Sequence, residues 1–162
     1  MMDSQSILEK IQIEFGTEIL SVDPSSDLPS AVAAVKVIHE VIGFLKDEGY
    51  RFLTDLTGVH YPERELELGV VYHMHDFIQN KRIRIKTFVG KTDPIVPTVT
   101  DLFAGANWME RETYDFYGIR FEGHPNLTRI LNVEYMDYFP MRKEYPLEDA
   151  TREDKDDRYF GR

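Results

Sequence analysis

The chain has 162 residues, no cysteine and a formal net charge of −10 at pH 7. The missing thiols exclude disulfides, thiolate nucleophiles and the ligands on which iron–sulfur clusters are usually built. The acidic charge disfavours nucleic acid and anionic membrane surfaces as partners, and a hydrophobic fraction of 42% favours a folded domain over a disordered chain.

The first third of the chain switches between helical and extended hydrophobic spacing. Apolar side chains at helical spacing predict an amphipathic helix that ends before Gly16. Residues 31–47 mix alanine with valine, and we assign a strand followed by a helix that Gly49 closes. The predicted elements are a helix at 4–15, a strand at 17–22, a turn at 24–27, a strand at 31–37 and a helix at 38–47.

Three strands are predicted next, at residues 51–60, 65–76 and 82–89. The last of them alternates apolar residues facing inward with Arg82, Arg84 and Lys86 facing outward. The short connection before it carries an asparagine and predicts a hairpin. In that hairpin the basic row is expected opposite Glu65 and Glu67, which predicts a solvated outer face of the sheet.

The order of these elements predicts an α+β fold of two layers, in which a mixed sheet carries its helices on one face. Residues 98–104 predict a further short helix before the one that begins near residue 107. We expect one α+β domain at residues 1–131. Residues 132–162 have no hydrophobic period and cannot build a core alone, so we expect an extended C-terminal segment that is either disordered or ordered by packing on another surface, such as that of partner subunits.

The helix near residue 107 has both of its ends marked in the sequence. Asn107 is a favourable N-cap, and Glu110 three residues later completes a capping box. Gly118 stands where a left-handed residue ends a helix. Arg111 is expected to pair with Asp115 one turn further on. These local contacts describe a capped surface helix.

The same stretch is unusually rich in aromatic residues for a surface helix and its loop. Trp108, Tyr114, Phe116, Tyr117 and Phe121 stand close together and are interleaved with arginine. Aromatic residues and arginine are enriched in protein–protein contacts. The residues alone therefore favour an interface over an active site.

Residues 110–131 read E-R-E-T-Y-D-F-Y-G-I-R-F-E-G-H-P-N-L-T-R-I-L. This run resembles the signature of the C-type subunit of proton-pumping NADH:quinone oxidoreductase, respiratory complex I, in its unfused bacterial form. Residues 140–146, P-M-R-K-E-Y-P, are similar to the family's Pro-Leu-Arg-Lys-Asp-Phe-Pro segment. Weaker similarity extends back to about Val32. Thr128 departs from the pattern, which has a basic residue there, whereas Arg129 keeps its place.

The resemblance implies a cofactor-free subunit of the peripheral arm that supports assembly and the quinone-reducing module during electron transfer from NADH to quinone, coupled to proton translocation. FMN and the iron–sulfur clusters would belong to partner subunits. It implies contact with the quinone-site subunit and its iron–sulfur neighbour on the cytoplasmic side of the cell inner membrane, and with the membrane only through partners. The residues expected to make contacts or fix loops are Trp108, Glu110, Arg111, Glu112, Asp115, Gly118, Gly123, His124, Pro125, Arg129, Arg142 and Lys143.

Two other functions stay open at this point. The signature does not separate complex I from the equivalent subunit of a membrane-bound hydrogenase or another quinone oxidoreductase. A stand-alone metal-dependent enzyme using His60, His73 and His75 is the second alternative, although such sites need three or four ligands and histidines two apart on a strand are usually solvated. No GxGxxG fingerprint, P-loop or catalytic dyad is found, so no catalytic, metal-binding or cofactor-binding residue is expected in this chain.

Overall fold

The computed structural model describes residues 4–24 and 28–145. Its elements follow the predicted order of helix, two strands, helix and three strands, and then add a strand, a helix and a last short strand. In chain order they are α1 (Ser4–Phe15), β1 (Ile19–Asp23), β2 (Ser30–Ala33), α2 (Ile38–Asp47), β3 (Phe52–His60), β4 (Leu68–Asp76), β5 (Lys81–Val89), β6 (Ile95–Pro97), α3 (Ala106–Tyr117) and β7 (Arg120–Glu122).

Five of the strands form one mixed sheet in the order β1-β2-β5-β4-β3. The β2–β5 pair is parallel and the other pairs are antiparallel. The predicted hairpin joins β4 to β5 and turns at Asn80, whose φ of +50° suits asparagine. The Asp76 carboxylate accepts hydrogen bonds from the N–H groups of Ile78 and Gln79 at 2.9 and 3.2 Å. These bonds help to fix the register of the two strands.

The core lies between one face of this sheet and the helices, as predicted. Tyr72 of the sheet is fully buried together with Ile11 of α1 and Ile42 of α2. Helix α3 packs along β3, where a Cβ on Gly58 would lie 2.4 Å from the Tyr117 ring. The missing side chain of Gly58 therefore sets how closely α3 approaches the sheet. Within the described residues, no helix has the length and apolar character needed to cross a membrane.

The strand predicted at 31–37 is too long. It ends at Ala33, and Val35–Val37 form a 3-10 helix that leads directly into α2. The Val37 N–H donates to the Ala34 carbonyl at 3.1 Å, so this local turn overrides the preference of valine for strands. The turn predicted at 24–27 falls largely outside the described residues.

The short helix predicted at 98–104 is wrong. Residues 100–105 form turns instead. The Thr98 N–H donates to the Glu122 carbonyl at 2.9 Å and extends the parallel pairing of β6 with β7. The Leu102 and Phe103 N–H groups both donate to the Val99 carbonyl, so this segment closes a single turn and does not continue as a helix.

The predicted row of opposite charges on the outer face of the sheet is wrong as well. β4 begins after Glu65 and Glu67, so neither glutamate lies opposite the basic residues of β5. Arg84 lies opposite His73 instead, and its Nε donates to the His73 Nε2 at 2.9 Å. His75 on the same face is 7% exposed, so this face is less solvated than expected.

Candidate interaction site on the third helix

Helix α3 begins after Gly105 and ends at Gly118. Gly118 has a φ of +74° and donates its N–H to the Tyr114 carbonyl at 2.8 Å, which is the left-handed helix end predicted for it. A Cβ at Gly118 would lie 2.5 Å from the Phe139 ring, so this close approach also requires glycine. The predicted N-cap is wrong, because Asn107 lies inside the first turn and Gly105 occupies the cap position.

Glu110 is fully buried and binds the chain that precedes the helix. Its carboxyl group accepts hydrogen bonds from the Thr98 hydroxyl at 2.5 Å and from the Val99 N–H at 2.8 Å. Because these partners occupy its two oxygens, the predicted capping box does not form. Burial raises the pKa of Glu110 to about 7, and the hydrogen bonds from Thr98 and Val99 oppose part of that rise.

His124 holds the predicted turn Gly123-His124-Pro125 against the first turn of α3. Its Nδ1 accepts a hydrogen bond from the Asn126 N–H at 3.0 Å, and its Nε2 donates to the Asn107 carbonyl at 3.1 Å. Gly123 supplies the turn with a φ of +84°. Since both ring nitrogens of His124 bind the main chain, this residue positions the loop rather than acting as a general base.

Arg111 binds the loop that follows β7. Its Nε donates to the Thr128 carbonyl, and its Nη2 donates to the Thr128 hydroxyl and the Arg129 carbonyl, each at 3.1 Å. The predicted pair between Arg111 and Asp115 is therefore wrong. Thr128, which departs from the expected pattern, serves here as a hydrogen-bond acceptor for Arg111.

Asp115 is fully buried and binds the same loop, the one after β7, through backbone N–H groups. Its carboxylate accepts hydrogen bonds from the N–H groups of Ile130, Leu131 and Asn132 at 3.1, 2.8 and 2.9 Å. The Arg129 Nη1 donates to it at 2.7 Å. Burial by itself would raise the pKa of Asp115, but the bonds from Asn132, Leu131 and Arg129 outweigh burial and hold that pKa well below its usual range.

The beginning of the predicted C-terminal segment lies on this domain. The Arg142 Nε donates to the Tyr117 carbonyl at 2.7 Å, at the end of α3. The Lys143 N–H donates to the His60 Nδ1 at 2.9 Å, at the end of β3. Residues 146–162, the rest of that segment, lie outside the described part of the chain, and their packing on partner subunits stays a prediction.

The outer side of α3 and the chain after β7 expose large apolar side chains. Trp108 is 61% exposed, and its ring lies 5.2 Å from the Arg111 guanidinium. The sequence pattern identified Trp108 but not the exposed apolar residues after β7, several of which are aromatic residues at irregular spacing. The Tyr138 and Tyr145 rings lie 5.0 Å apart between centroids, and exposed apolar groups that adjoin one another are typical of interaction sites. We call them the signature surface: Trp108, Leu131, Val133, Tyr135, Tyr138, Met141 and Tyr145.

The three carboxyl groups of α3 do not form a catalytic cluster. Glu110 binds Thr98 and Val99, Asp115 binds the loop after β7, and Glu112 is exposed. Each group therefore has a separate environment, and no acid–base pair forms among them.

The structure does not bring the three candidate metal ligands together. His60 lies opposite Leu68 at one end of the β3–β4 ladder, and His75 lies near the other end. His60 binds Glu67 at 3.1 Å through its Nε2. Within the described residues, no group of three or more histidine, cysteine, aspartate or glutamate side chains is placed to hold a metal ion. The metal-dependent alternative therefore gains no support.

Comparison with known proteins places this helix and loop in a known family. The family model described as respiratory-chain NADH dehydrogenase, 30 Kd subunit, matches residues 31–151. The NADH-quinone oxidoreductase C-type subunit 1 of Rhizobium meliloti is 46% identical over 121 residues, which cover 73% of this chain and 60% of that protein. The probable NADH-ubiquinone oxidoreductase 30.4 kDa subunit of Candida maltosa mitochondria is 40% identical over 152 residues, which cover 85% of this chain and 55% of that protein. The chain thus spans little more than half the length of these relatives.

Two solved structures share the fold. The trypsin-resistant fragment (1-134) of Nqo5 has a TM-score of 0.69 at 30% identity, covering 78% of this chain and all of the fragment. A chain of the membrane-bound sulfane sulfur reductase, an archaeal respiratory membrane complex, has a TM-score of 0.74 and covers 88% of this chain and 85% of that chain. Its identity of 22% shows the fold alone, so it does not favour the alternative of a related oxidoreductase.

Proposed function

The chain belongs to the family of the 30 Kd subunit of respiratory-chain NADH dehydrogenase, and on this premise we propose that it is a scaffold subunit of an NADH:quinone oxidoreductase. It acts as the C-type subunit of the peripheral arm and supports the quinone-reducing module. Electron transfer from NADH to quinone, coupled to proton translocation, is the activity of the whole assembly. No catalytic group of that reaction belongs to this chain.

The redox centres of the assembly lie in partner subunits. Iron–sulfur clusters are usually held by cysteine thiolates, and this chain has no cysteine. FMN and the clusters are therefore assigned to other chains. This chain contributes surfaces rather than redox chemistry.

The partners are the quinone-site subunit and its iron–sulfur neighbour, on the cytoplasmic side of the cell inner membrane. The signature surface is the feature that suits them, because an exposed tryptophan beside an arginine is typical of the central contacts of an interface. The net charge of −10 favours basic partner surfaces over direct contact with anionic lipid. The chain therefore reaches the membrane through its partners.

One observation carries this proposal: polar contacts from α3 fix the loop at residues 128–132, which carries Leu131 and leads to the other exposed apolar residues after β7. Asp115 and Arg111 hold residues 128–132 by their backbone groups, and the Arg129 side chain pairs with Asp115. Ordering this loop before binding reduces the conformational entropy that association costs. The domain is built to present exposed apolar groups in a fixed arrangement, which is what a subunit of a permanent assembly requires.

The test is co-purification from native membranes. A tagged chain, solubilised in mild detergent, is expected to carry the quinone-module subunits and NADH:quinone reductase activity with it. Trp108→Ala is expected to reduce that recovery roughly tenfold or more, since truncation of a central aromatic anchor commonly costs at least about 2 kcal/mol. Ile13→Ala is the matched control, because it removes an 83% exposed apolar side chain from α1.

Two results would contradict the proposal at different levels. If the unaltered chain recovers no NADH-oxidising partners, the chain is not a subunit of this assembly. If the unaltered chain recovers them and Trp108→Ala recovers as much as Ile13→Ala, the signature surface is not the contact. Circular dichroism of each purified variant confirms that the chain has kept its fold.

A further inference from the structure

A small cleft lies between the second half of α3, the free edge of β3 and the chain near residue 141. Its volume is about 220 Å³, and its lining residues are Thr57, Glu112, Thr113, Phe116, Tyr117 and Met141. The sheet order leaves β3 at an edge, so the cleft opens beside a strand without an outer neighbour in the described sheet. The proposed function does not by itself assign an occupant to this cleft.

Among the residues that the structure describes, Glu112 is the one charged residue that lines the cleft. It is exposed, and within residues 4–24 and 28–145 it forms no ion pair. Two arginines of the surrounding chain are engaged elsewhere: Arg142 binds the Tyr117 carbonyl, and Arg111 binds the loop at residue 128. Burial, and then the negative charge of Glu112, raise the pKa of Tyr117, which is consistent with an uncompensated negative charge at this wall.

The other residues that line the cleft suit the aliphatic chain and the planar guanidinium group of an arginine. Phe116 and Tyr117 are half-buried aromatic rings, and Met141 is 47% exposed. Guanidinium groups stack on aromatic faces and pair with carboxylates through two parallel hydrogen bonds, whereas an ammonium group is more strongly hydrated. A single carboxylate among apolar walls does not provide the several oxygen ligands that a divalent cation requires.

We propose that this cleft receives an arginine side chain from a partner subunit, whose guanidinium pairs with Glu112. The proposal rests on the proposed function, since it needs a partner of the assembly. Trp108, Glu112 and Phe116 are spaced four residues apart, so they share one face of α3, and the cleft continues the signature surface. The Met141 N–H donates to the Phe116 carbonyl at 3.2 Å, so the cleft is formed before the partner binds.

Charge reversal in the full assembly tests the pairing. Glu112→Arg is expected to lower co-purification of the quinone-module subunits roughly tenfold or more, and Glu112→Gln is expected to lower it less, because only the reversal adds repulsion. Glu65→Arg makes the same change of charge at an exposed glutamate between β3 and β4. This control variant is expected to co-purify the quinone-module subunits as well as the unaltered chain does. Equal recovery of Glu112→Arg and Glu65→Arg would overturn the proposal.

Cross-linking identifies the occupant. Because the chain has no cysteine, Thr57→Cys provides a single thiol at the cleft, to which a benzophenone is attached before the assembled complex is irradiated. Mass spectrometry is expected to find a partner peptide with an arginine within a few residues of the link. Exchanging that arginine of the partner for glutamate is expected to restore co-purification of the partner with the Glu112→Arg chain. Links only to residues 146–162 of this chain, or to peptides without arginine, would overturn the proposal.

The two levels of failure can be told apart. If the unaltered chain recovers no partner subunits, the proposed function fails and this inference fails with it. If the unaltered chain recovers its partners and Trp108→Ala lowers the recovery, but Glu112→Arg does not, only the arginine assignment fails.

Discussion

Helix α3 carries two fully buried carboxyl groups, Glu110 and Asp115. Their environments shift their pKa values in opposite directions. Burial raises the pKa of Glu110 to about 7. Asp115 also has no exposed surface but lies less deep in the protein, and three N–H groups and Arg129 outweigh burial and hold its pKa well below the usual range. At pH 7 the carboxyl group of Glu110 is therefore about half protonated, whereas that of Asp115 is ionised.

The difference shows what decides the charge of a buried carboxyl group. Burial disfavours ionisation at both sites, by several kcal/mol per ion in typical proteins. Glu110 has a hydroxyl and one backbone N–H as donors, whereas Asp115 has a cation, three backbone N–H groups and the side-chain amide of Asn132. The first half of α3 is therefore joined to Thr98 and Val99, which follow β6, by a carboxyl group of raised pKa, and the second half is joined to residues 129–132 by an ionic anchor.

Asp115→Ala is expected to have the largest effect on stability. It leaves the Arg129 guanidinium, whose side chain is 9% exposed, and three N–H groups without their acceptor. Breaking a buried ion pair from one side typically costs about 3–5 kcal/mol. The free energy of unfolding of the purified chain, measured by denaturant titration, checks this value.

Asp137→Ala is the matched control, because Asp137 is an exposed aspartate in the same segment. Exposed substitutions of this kind usually change stability by less than about 0.5 kcal/mol. A loss of stability at Asp115 no greater than this control would mean that the ionic anchor contributes little, and the contrast with Glu110 would disappear.

The sheet could be predicted from the sequence because its signal is local. Alternation along β5 identifies its buried face from neighbouring residues alone, and Ile83 and Ile85 are fully buried as expected. The hairpin at Asn80 and the helix end at Gly118 were also local signals, since each depends on one residue that tolerates positive φ.

The anchors of α3 could not be predicted, because each partner lies more than ten residues away along the chain. Glu110, Arg111 and Asp115 all have plausible partners within one helical turn, and the folded chain uses none of them. Local rules for capping and for pairs spaced by four residues describe an isolated helix. In a packed helix, buried groups bind whatever the tertiary structure brings to them, and the interface role predicted for Trp108 stays a prediction.

A pH titration of stability is expected to separate the two carboxyl groups. Glu110 ionises near its ordinary pKa of 4.5 when unfolded and near 7 when folded. The contribution of protonated Glu110 to the free energy of unfolding is therefore fully present below about pH 4.5 and is lost as the pH rises to about 7. Glu110→Gln keeps a neutral side chain with an acceptor and a donor, so wild type is expected to lose roughly 3 kcal/mol relative to this variant over that range.

Asp115 is expected to behave in the opposite way. Because its folded pKa is depressed, its contribution is complete above the ordinary aspartate range and is lost only in strong acid. The difference in unfolding free energy between wild type and Asp115→Asn should thus stay flat from about pH 5 to 8. Glu112→Gln, at an exposed position of the same helix, controls for the general effect of charge. A flat difference for Glu110→Gln as well would show that Glu110 is already ionised in the folded chain.

Thr98→Val is expected to have the smallest effect on stability. It tests whether the hydrogen bond from Thr98 lowers the pKa of Glu110. The substitution removes the hydroxyl that donates to Glu110 at 2.5 Å, at a cost of about 1 kcal/mol. Because that bond lowers the pKa of Glu110, its loss should move the pKa further upward, as measured by the carbon-13 shift of the carboxyl group. Thr54→Val, at an exposed position of β3, should leave that shift unchanged. An unchanged or lowered pKa in Thr98→Val would mean that burial alone sets the charge of Glu110, and that donor number does not explain its contrast with Asp115.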